Sequence, residues 1–407
     1  MMPAELERYA EMILKGCIAL RRGDVVLVRP ALGHRELAVA VAEAAYRSGA
    51  AAVDVEYDDP RVYAARILYG SKDALGGRAP WRDAQIRAFG TEKVALVQMM
   101  GEFELEVTAQ LPPERVAEAT KRQQSGAAMQ RIRREGRLRG TICAWPTAEW
   151  SARVYPEQTV EKAQRALAKD LLSFCRIGPK DPPGHKGWTD HLATLRRRAA
   201  RLTKLDLKEV HVVDDGTDLR LRIAPFSMWR GGGEKDHWGR QIAMNVPTEE
   251  CFISPDAAAT EGTFRCSRPR SFGGRVIEGL RGEFRGGRLV RLEAKREADR
   301  DWLARYLAAI PNSDRLGEIA LVDASSRIGQ TGRIYYNGLL DENAAAHMAF
   351  GSGFAKTRTV PIGRQRHGVN RSRTHIDVMI GTDALNAFGV TQAGRRVPLV
   401  ADGAWQF

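Results

Sequence analysis

Short apolar runs alternate with amphipathic stretches over roughly the first 180 residues. Asp24-Val25-Val26-Leu27-Val28 is apolar enough for a strand covered on both faces. From residue 34 to 48 the period changes, and Leu37, Val41 and Ala45 fall on one side of a helix. Residues 51–57 and 94–99 return as strands, 113–134 read as a long helix with a polar face, and 141–144 as one more short strand. Strands separated by helices predict a parallel sheet with crossover connections, hence an open α/β domain.

The texture then changes. Residues 176–187 gather Gly178, Pro179, Pro182, Pro183, Gly184 and Gly187, which is the strongest linker signal in the chain. A helix is expected over 188–202. Beyond it, residues 209–213, 218–223, 274–280, 282–284 and 289–292 are short strand-like runs broken by glycine. That pattern predicts a mainly antiparallel region with hairpins. A boundary near residue 185 follows, with residues 1–185 as an N-terminal α/β domain and 186–407 as a C-terminal α+β domain, the one that holds the candidate chemistry described below. A chain of 407 residues is also long for one core.

Composition narrows the function classes. With 43% hydrophobic and 28% charged residues the chain is globular. No run approaches the ~20 apolar residues of a membrane helix. The first residues carry Glu5, Glu7 and Glu11 and no basic-then-apolar leader, so a cytoplasmic protein is expected. The net charge of +13 raises the question of nucleic acid. The densest cluster, Arg131, Arg133, Arg134, Arg137 and Arg139, has no aromatic interleaving and reads as a solvated helix end. No nucleic-acid partner and no membrane partner is therefore expected.

The five cysteines form no C-x-x-C pair, and Cys17 and Cys143 read as packed thiols. Arg29-Pro30-Ala31-Leu32-Gly33 after the first strand lacks a phosphate-binding glycine pattern, so no nucleotide cofactor is expected. Gly231-Gly232-Gly233 reads as a loop.

Carboxylates and histidines of the C-terminal half concentrate in four segments. These are Asn245-Val246-Pro247-Thr248-Glu249-Glu250, Gly317-Glu318 opening an apolar run, Asp341-Glu342-Asn343 with His347, and His375-Ile376-Asp377. In a strand, the H-x-D spacing places both side chains on one face. Imidazole and carboxylate donors suit zinc, cobalt or manganese. Six such residues are enough for two ions, which can share a water, lower its pKa and polarise a carbonyl. Each element also has a plainer reading. Glu318 alone is a strand-end carboxylate, His347 a packed histidine, and Glu249 and Glu250 the acidic first turn of a helix after Pro247.

Taken together and in order, these segments resemble the signature of the thermophilic aminopeptidase family. Trp145-Pro146-Thr147 with Trp150, Gly216-Thr217-Asp218-Leu219, Asn370 and Gly403-Ala404-Trp405 extend the resemblance over the whole chain. It implies a two-metal hydrolase that cleaves N-terminal residues from peptides, and a homodimer. It implies Glu250, Glu318, Glu342, His347, His375 and Asp377 as metal ligands. Glu250 is preferred to Glu249, and Glu318 is the candidate bridge between two ions. The general base is open between Glu250 and Glu342. One departure stands out: the family's tyrosine seven residues after the histidine of the third motif is replaced by Phe354. Tyr335, Tyr336 or His367 are possible substitutes, and a non-peptide amide is an alternative substrate. The rival reading is a single-iron ring-cleaving dioxygenase of the dihydroxypyridine type, with His347, His375 and Asp377 as a facial triad. Such a site has no use for three further carboxylates.

Overall fold

A computed structural model describes residues 3–77, 80–91, 93–101, 104–124, 131–132, 135–354, 357, 359 and 368–407. His367, Arg133, Arg134 and most of the expected helix beyond residue 124 lie outside the described residues. The chain forms two compact units. The first takes residues 1–108, 123–194 and 232–248, and the second takes 109–122, 195–231 and 249–407. This path is less simple than one cut near residue 185. The division falls inside the helix Lys186–Lys204, so the glycine- and proline-rich stretch 176–187 lies within the first unit. Composition marks where a chain turns, whereas long-range packing decides which turns separate compact bodies.

The first unit carries the expected open sheet. Its five strands run in the order Asn245–Val246, Gly140–Ala144, Val94–Met100, Val25–Arg29, Ala52–Val55. All neighbouring pairs are parallel. Val26, Leu27 and Val28 are buried, as a strand covered on both faces requires. The helix Arg35–Arg47 buries Leu37, Val41 and Ala45 on its inner stripe.

One arginine of the basic cluster departs from the solvated reading. Arg131 and Arg137 pair with Glu135 at the surface. Arg139, however, is fully buried, with Nη1 2.6 Å from Asp24 Oδ2, and Arg240 Nη1 approaches the same oxygen at 3.0 Å. Burial alone would raise the Asp24 pKa. The hydrogen bonds from Arg139 and the Arg21 backbone, with the charges of Arg139 and Arg240, outweigh it and hold the pKa below its ordinary value. Asp24→Asn would leave two buried guanidinium groups uncompensated, and a loss of about 3–5 kcal/mol in unfolding free energy is expected. Chemical denaturation of both proteins measures it; a loss under about 1 kcal/mol would show that the pair is not a structural tie.

The thiols are packed as expected. Cys17, Cys143, Cys175 and Cys251 are buried and form no disulfide. Burial pushes Cys143 and Cys251 up to about 12, which leaves them unreactive at neutral pH.

The second unit consists mainly of antiparallel strands. An eight-stranded sheet runs Arg288–Glu293, Arg281–Arg285, Pro255–Arg265, Thr217–Ile223, Leu207–Asp214, Asn386–Thr391, Arg396–Ala401, Ala404–Trp405. A five-stranded sheet runs His375–Met379, His347–Gly351, Leu316–Leu321, Cys251–Ile253, Arg230–Gly231. Gly231 thus closes a strand, and Gly232 and Gly233 follow it with φ of 68° and 78°. Glu249 and Glu250 precede a strand, not a helix. Among the described residues no helix is long and apolar enough to cross a membrane.

Candidate metal centre

The five-stranded sheet explains how residues far apart in sequence meet. Ala320 pairs with His347, and His347 with Met379. Glu318 pairs with Ala349, and Ala349 with Asp377. Gly351 pairs with His375, and Phe252 with Ala320. Residues paired across strands share a face, so Glu318, His347, His375 and Asp377 project from the same side. Glu250, two residues before Phe252, continues that side by alternation. Ala320, Ala349 and Gly351, small residues on this face, leave room between the polar groups, while Phe252 and Met379 lie at its margins.

Gly317 sets the aim of Glu318. The register shifts between Leu316 and Glu318, which is a bulge at this glycine. A Cβ there would stand 2.3 Å from the Ser352 carbonyl, so only glycine allows the approach. Every residue of Leu316–Leu321 is buried, and Glu318 is the one charged group in that strand.

The distances define two groups of donors. His347 Nε2 lies 3.1 Å from Glu250 Oε2. His375 Nε2 lies 3.0 Å from Glu318 Oε2 and 3.0 Å from Asp377 Oδ1. Glu250, Glu318 and His347 offer ligand atoms all within 4.8 Å of one another, and so do Glu318, His375 and Asp377. Glu318 belongs to both groups. Each imidazole is oriented from behind: His347 Nδ1 donates to the Ala345 carbonyl at 3.2 Å, and His375 Nδ1 to the Ser352 carbonyl at 2.8 Å. That leaves Nε2 of each ring as the inward lone pair of its neutral form, the second-sphere arrangement expected of metal-binding histidines. The donor chemistry therefore fits divalent cations.

Glu342 belongs to neither group. It ends the short helix Gly338–Glu342, which Asn343 ties to the Glu250 segment. Asn343 Oδ1 accepts from the Glu249 backbone N–H at 2.7 Å, and its Nδ2 donates to the Leu339 carbonyl at 2.9 Å. Glu249, the alternative to Glu250 in sequence, thus contributes a backbone anchor. Asp341 is a structural acceptor, taking the backbone N–H groups of Tyr335 at 2.9 Å and Asn337 at 3.0 Å.

Electrostatics reveal an excess of negative charge. Burial raises the Glu342 carboxyl pKa, and the charges of Asp377 and Glu250 push it well above the usual range. Burial also raises Glu318, against the hydrogen bond of His375. Burial would lower His347, but Glu250, Glu318 and Asp377 raise it to about 10. His375 is likewise raised, burial being outweighed by Asp377 and Glu318. Asp377 is depressed despite burial, by His375, Arg270 and His347. Without a cation, protons on the two imidazoles offset the carboxylates.

Phe354 stands at this site. Its ring centroid is 5.0 Å from that of His375 and 5.2 Å from that of Phe252. Of the possible tyrosine substitutes, Tyr335 has its hydroxyl on Thr331 Oγ1 at 3.2 Å. The sequence did not single out Arg270, a buried cation whose charge acts on Asp377 and Glu342. One arginine among many carries no positional signal.

A profile of the thermophilic metalloprotease (M29) family matches residues 2–405. The chain belongs to this family. Among its M29 relatives, aminopeptidase T of Thermus thermophilus is 31% identical over 406 residues, covering 98% of each chain. Aminopeptidase AmpS of Bacillus subtilis is 27% identical over 413 residues, covering 99% of this chain and 98% of its own. The solved structure of wild-type AmpT from Thermus thermophilus superposes with a TM-score of 0.86 at 30% identity, covering 99% of both chains. A 2,5-dihydroxypyridine dioxygenase from Pseudomonas putida shares the fold at a TM-score of 0.54 and 14% identity, over 98% of both chains.

Proposed function

We propose that this M29 protein is a metal-dependent aminopeptidase, releasing N-terminal residues from peptides at a centre of two divalent ions. The carrying observation is Glu318, common to two three-donor groups. Glu250 and His347 complete one group, and His375 and Asp377 the other. The ions are zinc, cobalt or manganese according to availability. When bound, two such ions lower the pKa of a shared water and polarise the substrate carbonyl. Glu342, counted among the ligands by resemblance, is assigned the proton transfer because it stands outside both groups while lying close enough to feel the charges of Asp377, Glu250 and His347. The working form is taken to be a cytoplasmic homodimer, and light scattering across micromolar concentrations checks that state.

The one-iron reading is disfavoured by the grouping itself. His347 clusters with Glu250 and Glu318, while His375 and Asp377 form a separate group with Glu318. A facial triad of the three would bypass the shared carboxylate. Elemental analysis decides: two divalent ions per chain are expected, and one iron with no second ion would favour the dioxygenase. A panel of free-amine peptides, N-blocked peptides and non-peptide amides, assayed with each metal, tests the activity. Cleavage confined to free-amine substrates is expected, and cleavage of non-peptide amides alone would move the substrate class.

Phe354→Tyr places a hydroxyl beside His375. If that hydroxyl reaches the oxyanion of the reacting carbonyl, kcat on peptides rises by about 10²-fold, the value of one oxyanion donor. An unchanged kcat would show that position 354 only walls the site.

A further inference from the structure

Arg270 opens the short strand Arg270–Phe272 and is only 8% exposed. Its Nε and Nη1 are enclosed without a hydrogen-bond partner. The guanidinium lies against Gly338, where a Cβ would stand 2.7 Å from Nη1 and 3.4 Å from Cζ and Nη2. Gly338 begins the helix that ends in Glu342. The same strand packs beside His375–Met379, and Ser267 just before it donates its N–H to the Met379 carbonyl at 2.9 Å. Arg270 is therefore held between the two elements that deliver Glu342 and Asp377. Asn337, the residue before Gly338, is fully buried. Its Oδ1 caps the helix through the Leu340 N–H at 3.3 Å, while its Nδ2 is also enclosed without a partner.

A buried guanidinium is retained where it meets opposite charge, and each enclosed N–H without an acceptor is costly. Charge balance is present here, because the carboxylates of Asp377, Glu342 and Asp341 all feel this cation. Acceptors are what the site lacks. Among the described residues no acceptor meets Arg270 Nε or Nη1, although this guanidinium lies next to the candidate metal centre.

We propose that Arg270 binds a substrate carboxylate close to the scissile amide, so that this peptidase prefers acidic substrates. The inference rests on the reading of the neighbouring residues as the peptidase centre. The carboxylate has two possible sources: an acidic side chain on the released residue, or the C-terminus of a dipeptide.

Two matched pairs of substrates distinguish the sources on the metal-loaded enzyme. Glutamyl anilide against glutaminyl anilide tests the side chain, and leucyl-glycine against leucyl-glycinamide tests the terminus. One pair is expected to favour the carboxylate by about 10- to 100-fold in kcat/KM, the range of a charge-assisted contact. That ratio should fall towards one in Arg270→Gln and survive in part in Arg270→Lys. Calorimetry gives a second readout: free glutamate or glycine should bind the wild-type protein more tightly than the corresponding amide, and the advantage should vanish in Arg270→Gln. Acid-to-amide ratios near one in both wild-type pairs would overturn the proposal, whatever the variants do. So would a ratio untouched in Arg270→Gln. If no amide is cleaved with any metal, the peptidase reading fails, and the calorimetric comparison still decides the role of Arg270.

Discussion

Glutamine in place of Glu318 is expected to lower kcat/KM by about 10³-fold or more, which corresponds to roughly 4 kcal/mol of transition-state stabilisation. The change keeps volume and shape within a strand buried at every position, so packing survives. What it removes is the charge common to both donor groups. His347→Ala should also abolish turnover, although His347 belongs to one group alone. Elemental analysis after dialysis should show Glu318→Gln losing both ions and His347→Ala losing one preferentially. Melting of the metal-free proteins separates chemistry from folding. Neutralising one of several mutually repelling carboxylates should leave the metal-free Glu318→Gln fold no less stable than wild type. Wild-type turnover in Glu318→Gln at saturating metal would remove this residue from the centre.

Metal affinity should depend steeply on pH. In the metal-free protein burial would lower the His347 pKa, but Glu250, Glu318 and Asp377 raise it to about 10, and His375 is raised by Asp377 and Glu318. Both imidazoles therefore carry protons at neutral pH. Cations entering the site must displace them. Affinity should fall by about tenfold per released proton for each unit that pH drops, and titrations in buffers of different ionisation enthalpy should reveal about two protons released per chain. No proton release at neutral pH would place the ions elsewhere. Stability follows the same groups. The His347 pKa lies above its ordinary 6.5, so its contribution is complete below that value and is lost as pH rises through about 10. Asp377 is depressed, so its contribution is present above the ordinary carboxylate range and is lost as pH falls through its folded value. Chelator-treated protein should thus lose melting temperature between neutral pH and about pH 10. Protein loaded with metal, whose ligands are already deprotonated, should not show that loss.

The local physics of this chain was legible in its sequence. Val25–Arg29 and Arg35–Arg47 follow from one apolar run and one helical stripe, because burial preference and period act over a few neighbouring residues. The spacing of His375 and Asp377 likewise sufficed to place them on one face of a strand, where His375 Nε2 and Asp377 Oδ1 lie 3.0 Å apart. Everything that depended on pairing between distant segments was decided by the tertiary structure. No spacing indicates that Ala320 sits opposite His347 or that Ala349 bridges Glu318 to Asp377, since antiparallel register is set by how separate strands meet. The same reason hid Arg139, which reads as one more surface arginine until Asp24 is brought against it from more than a hundred residues away. It hid Arg270 as well. A charged side chain is solvated by default, and only the elements folded around it determine whether it becomes a buried cation facing a cluster of carboxylates.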